Sequence, residues 1–345
     1  VQRTGMRSGS RWLFFVAVLP VVCGVSRYCT RFGTGKFLEQ THVYSSNGIL
    51  TIQLSFIREV ADNGNIEYCY VSQNSIRSPA LHVNPGDILR LTLINLAPIQ
   101  TNMHFHGMHV SPAYGQDEII ATILDTGGNF TYKLMVPLEH PPGVYWYHPH
   151  VHPLADMSVL GGASGMIIVD GLEGRVPDLA GIPVRTFSVR DNVIPGLTSA
   201  LPATAPAWDL SVNFVPVPYP NYPPAQLSIQ PSSQELWRVL AACADDLYNL
   251  QLQYDGVPQA LRLVAIDGAP TTNVAVDSIM LPGGARAEFV VRAPDTGVQL
   301  AQLVTLGIDA GLLAPKHPFR PIIQLVADAA APLPALSLPV PGPVA

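Results

Sequence analysis

The chain has 345 residues, enough for two average domains, and 48 % of them are hydrophobic, ample for sizeable cores. Charged residues make up 13 % and the formal net charge is −6, which argues against a basic nucleic-acid-binding face and against global disorder. With 33 prolines and 28 glycines, the composition favours short strands joined by turns over long helices.

Val1 rather than a methionine opens the chain, which suits a processed product or a fragment. Arg3, Arg7 and Arg11 precede the apolar run "WLFFVAVLPVVCGV" (Trp12–Val25). A basic region before an apolar core of this length reads as a signal peptide over residues 1–30, with an N-terminal membrane anchor as the alternative. The run is short and broken by Pro20, a poor membrane span. A secreted or periplasmic location follows as the expectation.

Strand-like runs come next: Ile49–Ile57, Ile88–Asn95, Asn129–Val136, Gly143–His148 and Ser164–Gly171. Each alternates or is β-rich, and turn residues bound it. "GLEGRVPDLAGIP" (Gly171–Pro183) reads as a linker, after which strands resume and continue to "RPIIQLVADA". The tail Ala331–Ala345 is Pro-rich, extended and coreless, a second linker leading outward. The two halves echo each other. "ALHVNPGDILRLTLIN" (Ala80–Asn95) has a counterpart in "QLSIQPSSQELWRVLA" (Gln226–Ala241), both strand, Pro-turn, strand, which points to duplicated domains.

Of the cysteines Cys23, Cys29, Cys69 and Cys243, none forms a CxxC pair, so no zinc knuckle is signalled. With a signal peptide removed, Cys69 and Cys243 remain, either as a bridge between the halves in an oxidising compartment or as two separate buried thiols. Asn129 in "NFT" is a glycosylation sequon, meaningful only for a secreted eukaryotic chain.

Seven of the ten histidines lie between His104 and His152. "NMHFHGMHV" and "YWYHPHVHP" carry His104 and His106, then His148, His150 and His152, all at a spacing of two. On a strand, residues i and i+2 face one side, roughly 6.6 Å apart along the backbone. Two such pairs on neighbouring strands supply four neutral nitrogen ligands in one place, chemistry that suits copper, zinc, iron or nickel.

"TNMHFHG", "HPPGVYWYHPHVH" and "GGASGMIIVDG" resemble the first domain of multicopper oxidases, the family of laccases and ferroxidases. "LVAIDGAP" and "IMLPGGARAEFVV" resemble that family's second domain, so the similarity runs from about Gly48 to Ala327. The resemblance implies an all-β fold of two cupredoxin-like Greek-key β-sandwich domains, about 36–172 and 181–330. It implies copper as cofactor, with His104 on a type 2 ion and His106, His148 and His150 on a type 3 pair. Asp117, in "GQDEII", stands where the family often carries an acid near the cluster, and reads equally as a proton relay or as a loop aspartate. His109, His140 and His152 carry no expected ligand role.

The family completes its cluster with histidines from a last domain that also holds a type 1 copper in an HCH-type motif. No such motif occurs in this sequence: His317 alone follows His152, and Cys243 in "LAACADD" has no flanking histidine. The expectation is therefore an N-terminal two-domain portion of an oxidase of phenols or metal ions, supplying half of the copper ligands and inactive alone. A third cupredoxin-like domain, in cis or from another subunit, would dock near Phe105 and Trp146. A non-catalytic structural or binding protein on the same scaffold is the alternative.

Overall fold

The computed structural model describes residues 28–29, 33, 35–194, 205–311 and 316–334. The signal or anchor segment lies outside these residues except for Tyr28 and Cys29. Both of those are tied into the body, their amides donating to the Glu59 carboxylate at 2.7 and 2.8 Å.

The first half contains nine strands: β1 (His42–Tyr44), β2 (Ile49–Val60), β3 (Ile66–Ser72), β4 (Ala80–Val83), β5 (Ile88–Asn95), β6 (His104–His106), β7 (Asn129–Met135), β8 (Gly143–His148) and β9 (Gly165–Val169). They form two sheets, β3-β2-β5-β7 and β1-β4-β9-β8-β6. Alternation places Leu50, Ile52, Leu54, Leu89, Leu91 and Leu93 in the shared core, where Phe105, Tyr132, Tyr145 and Tyr147 join them. The expected strand over Ile88–Asn95 matches β5, and the one over Gly143–His148 matches β8.

The second half contains β10 (Val184–Asn192), β11 (Asp209–Val212), β12 (Val215–Val217), β13 (Ala225–Ile229), β14 (Gln234–Ala241), β15 (Tyr248–Tyr254), β16 (Val257–Gln259), β17 (Leu261–Ile266), β18 (Ala269–Val276), β19 (Ile279–Leu281), β20 (Arg286–Arg292), β21 (Ala301–Thr305) and β22 (Arg320–Ala327). Its sheets run β12-β11-β10-β14-β20-β17-β18 and β13-β22-β21-β15-β16. The fold is all-β and cupredoxin-like. Helix among the described residues amounts to short pieces such as Ala155–Leu160 and, in the expected linker, Leu172–Arg175.

The internal repeat is visible in the pairing. In the first half β2 runs parallel to β5 and β4 parallel to β9. In the second, β10 runs parallel to β14 and β13 parallel to β22. The segments matched in sequence, β4–β5 and β13–β14, therefore occupy equivalent places.

Two readings were open for Cys69 and Cys243, a bridge between the halves or two separate buried thiols; Cys243 fits the second and Cys69 fits neither. Cys69 is bonded to Cys29, and both sulfurs sit in a small buried cluster with Val71. Cys243 is a buried free thiol, its sulfur near the Val189 carbonyl at 3.5 Å and the Tyr248 hydroxyl at 3.1 Å. The sequence reading failed because it assigned Cys29 to a leader.

Between the halves lies an apolar strip of Ala80, Val144, Trp146, Met166 and Ile168 against Leu240 and Ala242. Beside it runs a polar chain. His42 Nδ1 meets His82 Nε2 at 2.8 Å, and His82 Nδ1 meets the Asp170 carboxylate at 2.9 Å. Arg238 of β14 faces Asp170 at 3.7 Å and Glu288 at 2.9 Å, and Thr186 of β10 lies 3.4 Å from His42. Burial chiefly, then His82 and Arg238, lowers the His42 pKa to about 4 against an opposing pull from Asp170.

A histidine held neutral in the fold contributes stability that is complete above its unfolded pKa. That contribution is lost as pH falls from about 6.5 towards 4, by at most about 3 kcal/mol. Buried Asp191, its pKa raised to about 6, acts with the opposite sign in the same window. The stability difference between wild type and His42→Gln isolates the histidine. In urea melts at successive pH values it should fall by up to about 3 kcal/mol from pH 7 to pH 4; a flat difference would remove His42 from the acid response.

Candidate metal centre

Strand β6 is only three residues long and lies at the edge of its sheet. Its pairing with β8 sets His104 opposite His148, Phe105 opposite Tyr147 and His106 opposite Trp146. Phe105 turns into the core edge-on to Tyr132, with ring centroids 5.4 Å apart, so His104 and His106 turn the other way together. The edge is closed locally. The Phe105 amide donates to Asp117 at 3.0 Å, and the Met108 amide donates to the Phe105 carbonyl at 3.2 Å.

One ligand nitrogen from each of His104, His106 and His148 lies within 4.8 Å of the others. His106 Nδ1 and His148 Nε2 face each other at 3.4 Å. Two nitrogens about 2.0–2.1 Å from one tetrahedral ion stand roughly 3.3 Å apart, so this donor set fits a metal. His150 completes the expected quartet less tightly: its ring is 5.1 Å from that of His104 and 6.0 Å from that of His148. The residues expected to act together are thus brought together, with three converging and the fourth adjacent.

Local hydrogen bonds fix the usable nitrogens. His148 Nδ1–H donates to the Pro149 carbonyl at 2.8 Å, leaving Nε2 as the free donor atom. His104 Nδ1 meets Asp117 Oδ1 at 2.9 Å, leaving its Nε2 likewise. Burial lowers the His106 pKa to about 4, lowers that of His148 well below the ordinary value, and lowers that of His150. The imidazoles are therefore neutral near pH 7, the form that binds metal. Asp117 Oδ1 takes both of the bonds described here, so its visible work is to orient His104 and cap β6. A carboxylate behind a ligating histidine sets its tautomer and ring plane. Next to it, Glu118 accepts from the amides of Ala121, Ile120 and Thr122, and these bonds hold its exposed carboxyl down to about 2.

Sequence reasoning missed Asn102. It is fully buried; its Oδ1 accepts from the His150 amide at 2.7 Å and its Nδ2 donates to the Ile119 carbonyl at 2.9 Å. It stitches the second histidine motif to the loop that bears Asp117. Its position inside the first motif was the available signal. His140 is occupied elsewhere, its Nε2 accepting from the His109 amide and its Nδ1 donating to Pro141. His317 is buried against Asp246 at 2.7 Å in the second half. His152 is exposed beside His150.

One expectation is corrected. Phe105 and Trp146 are buried, Phe105 in the first core and Trp146 between the halves, so neither offers area for docking. Two exposed apolar side chains flank Asp117 on its loop: Ile120 is 82 % exposed and Tyr114 75 %.

Two family models, both described as multicopper oxidase, match residues 59–173 and 203–299. Multicopper oxidase MmcO of Mycobacterium tuberculosis is 33 % identical over 78 residues, covering 23 % of this chain and 15 % of that protein. Laccase-1 of Melanocarpus albomyces is 25 % identical over 237 residues, covering 64 % of this chain and 36 % of that protein. The chain thus spans little more than a third of these curated relatives at most. The crystal structure of the McoA multicopper oxidase from Aquifex aeolicus superposes with a TM-score of 0.70 at 16 % identity, covering 90 % of this chain and 70 % of that one. A laccase-like multicopper oxidase, CueO, from Ochrobactrum gives 0.66 at 19 % identity, covering 89 % and 68 %.

If Asp117 orients His104, Asp117→Ala should weaken metal binding here by about 10–100-fold. Competitive titration with Cu(II) reads this directly, and an unchanged Kd in the folded variant would assign Asp117 to strand capping alone.

Proposed function

This chain belongs to the multicopper oxidase family, and from that premise we propose that it furnishes one side of a copper centre. In this reading His104 serves a type 2 ion, and His106, His148 and His150 serve a type 3 pair. The remaining ligands come from a third cupredoxin-like domain, in cis or from another subunit. The observation that carries the reading is the convergence of three imidazoles on two paired strands, with a carboxylate behind one of them.

The reaction class is one-electron oxidation of a phenol or a metal ion coupled to reduction of oxygen to water. Copper, when bound, would supply the redox chemistry. The residues of this chain hold, orient and shield. His148 and His104 present Nε2 because their other nitrogens are committed. Asn102 fixes the backbone of His150, and the buried Trp146 ring packs 4.0 Å from His148 and keeps water from one flank. Asp117 remains the acid closest to hand for proton delivery, through the oxygen that His104 does not use. A docking domain would cover exposed apolar side chains of the loop that carries Asp117, such as Ile120. The Cys29–Cys69 bond favours an oxidising, secreted location.

A second reading, a non-catalytic protein on the same scaffold, draws support from His317 and Cys243, which are committed to Asp246 and to the Val189–Tyr248 contacts. Copper analysis after loading separates the two. Wild type should retain copper that the His106→Ala, His148→Ala double variant loses. Neither protein alone should show intense blue absorption or phenol oxidation above background. Equal copper in both would sink the ligand assignment, and an intense blue band would reveal a copper–thiolate site not recognised here.

A further inference from the structure

Two segments matched in sequence to the family's second domain, "LVAIDGAP" and "IMLPGGARAEFVV", have so far no role. Both contain a tight turn of the second half, and both turns press on the strands that carry the histidines. Gly268 lies against Tyr145 so closely that a Cβ there would stand 2.3 Å from the tyrosine hydroxyl. Gly284, with φ +81°, lies against the cluster itself. A Cβ there would stand 3.1 Å from His106 Cε1, 3.4 Å from His106 Nε2 and 3.5 Å from Trp146 Cζ2.

Arg286 ties these turns to the centre. It is almost fully buried at 4 % exposure. Its Nε donates to the Val144 carbonyl at 2.9 Å, on the strand that ends in His148, and its Nη1 donates to the Gly284 carbonyl at 3.0 Å. Asp267, from the other turn, accepts the Arg286 amide at 2.9 Å and faces Nη1 at 3.1 Å. Nη2 fills the space beside Gly107, where a Cβ would stand 2.5 Å from it. One guanidinium fork thus fixes the spacing between β8, the residue after His106 and the turn that backs His106.

On the copper reading above, we propose that Gly284 and Arg286 of the second half are positioning residues for the histidine centre of the first. Gly284 is the wall against which His106 sits, and Arg286 sets the distance of that wall from both ligand-bearing strands. The planar fork matters beyond its charge, because a lysine ammonium cannot hold the Val144 and Gly284 carbonyls in one fixed plane. The wall favours glycine, because φ is +81° and a Cβ would press on His106 closely enough that the imidazole would have to give by a few tenths of an ångström.

The test uses the full chain in two measurements: the ring-nitrogen NMR resonances of His106 in the metal-free protein, and the Cu(II) Kd. Arg286→Lys should shift the His106 resonances and weaken copper binding about 10–100-fold, the range for residues that orient a ligand. Arg292→Met, on the same strand but exposed, should change neither. Unchanged resonances in folded Arg286→Lys overturn the proposal. So does an unchanged Kd with shifted resonances, which would make the contact one of packing alone. Should Arg286→Lys fail to fold, Gly284→Ala decides by the same readings, since it adds one methyl against His106 and leaves the fork in place. If wild type binds no more copper than the His106→Ala, His148→Ala variant, the copper reading fails, and the resonances still judge the positioning.

Discussion

Everything at the centre depends on one short antiparallel pairing, β6 against β8. It sets His104 directly opposite His148 and turns both motifs to one face. A slip of one residue would bury the imidazoles in the first core and expose Phe105 and Tyr147. The register is held by large side chains on the far face. Phe105 is locked against Tyr132, and the Tyr147 hydroxyl donates to the Pro79 carbonyl at 2.9 Å. The shared orientation of the imidazoles is therefore specified by aromatic packing on the opposite side of the sheet.

That arrangement carries a cost, because imidazoles removed from water lose hydration and each ring nitrogen needs a partner. The structure answers with fixed acceptors: Asp117 for His104 and the Pro149 carbonyl for His148. Across the cluster His106 Nδ1 and His148 Nε2 face each other at 3.4 Å. Burial then keeps them unprotonated, so the same desolvation that is unfavourable for the fold prepares neutral donors. Much of that burial comes from across the seam, where Gly284, Arg286 and the apolar strip around Trp146 close the back of the site. The second half carries none of the clustered histidines, yet its turns form part of their surroundings.

How much of this was legible beforehand follows the range of the interactions. Alternation is local, so β5 and β8 were read at their true limits, and β2 was read three residues short of Val60. The histidine pairs were legible because their spacing encodes a shared face. Strand β6 is too short to announce itself by periodicity, and its partner lies some forty residues away. Asn102, Gly284 and Arg286 act through contacts that no local pattern records, since the Arg286–Val144 bond joins residues 142 apart in sequence. Cys29 was misassigned for a different reason: an apolar run beside it carried a stronger signal than the lone cysteine, which pairs across 40 residues.

The two halves also show how little of the site the topology itself dictates. By sheet order, β15 and β21 of the second half stand where β6 and β8 stand in the first: β4, β9, β8, β6 correspond to β13, β22, β21, β15. Where Phe105 faces Tyr147 in one core, Leu252 faces Leu303 in the other, and the neighbouring pair on the opposite face is His104–His148 in one half and Gln251–Val304 in the other. The backbone framework is the same, but Val304 is fully buried and the Gln251 side-chain oxygen accepts from Gln253 Nε2 at 2.7 Å. The scaffold supplies two paired strands at a fixed separation, and the residue types alone decide whether that pair binds metal or packs. In this chain one copy of the framework carries the ligands. The other, having no histidines there, contributes instead the glycine turns and the guanidinium that pack against the histidine-bearing strands.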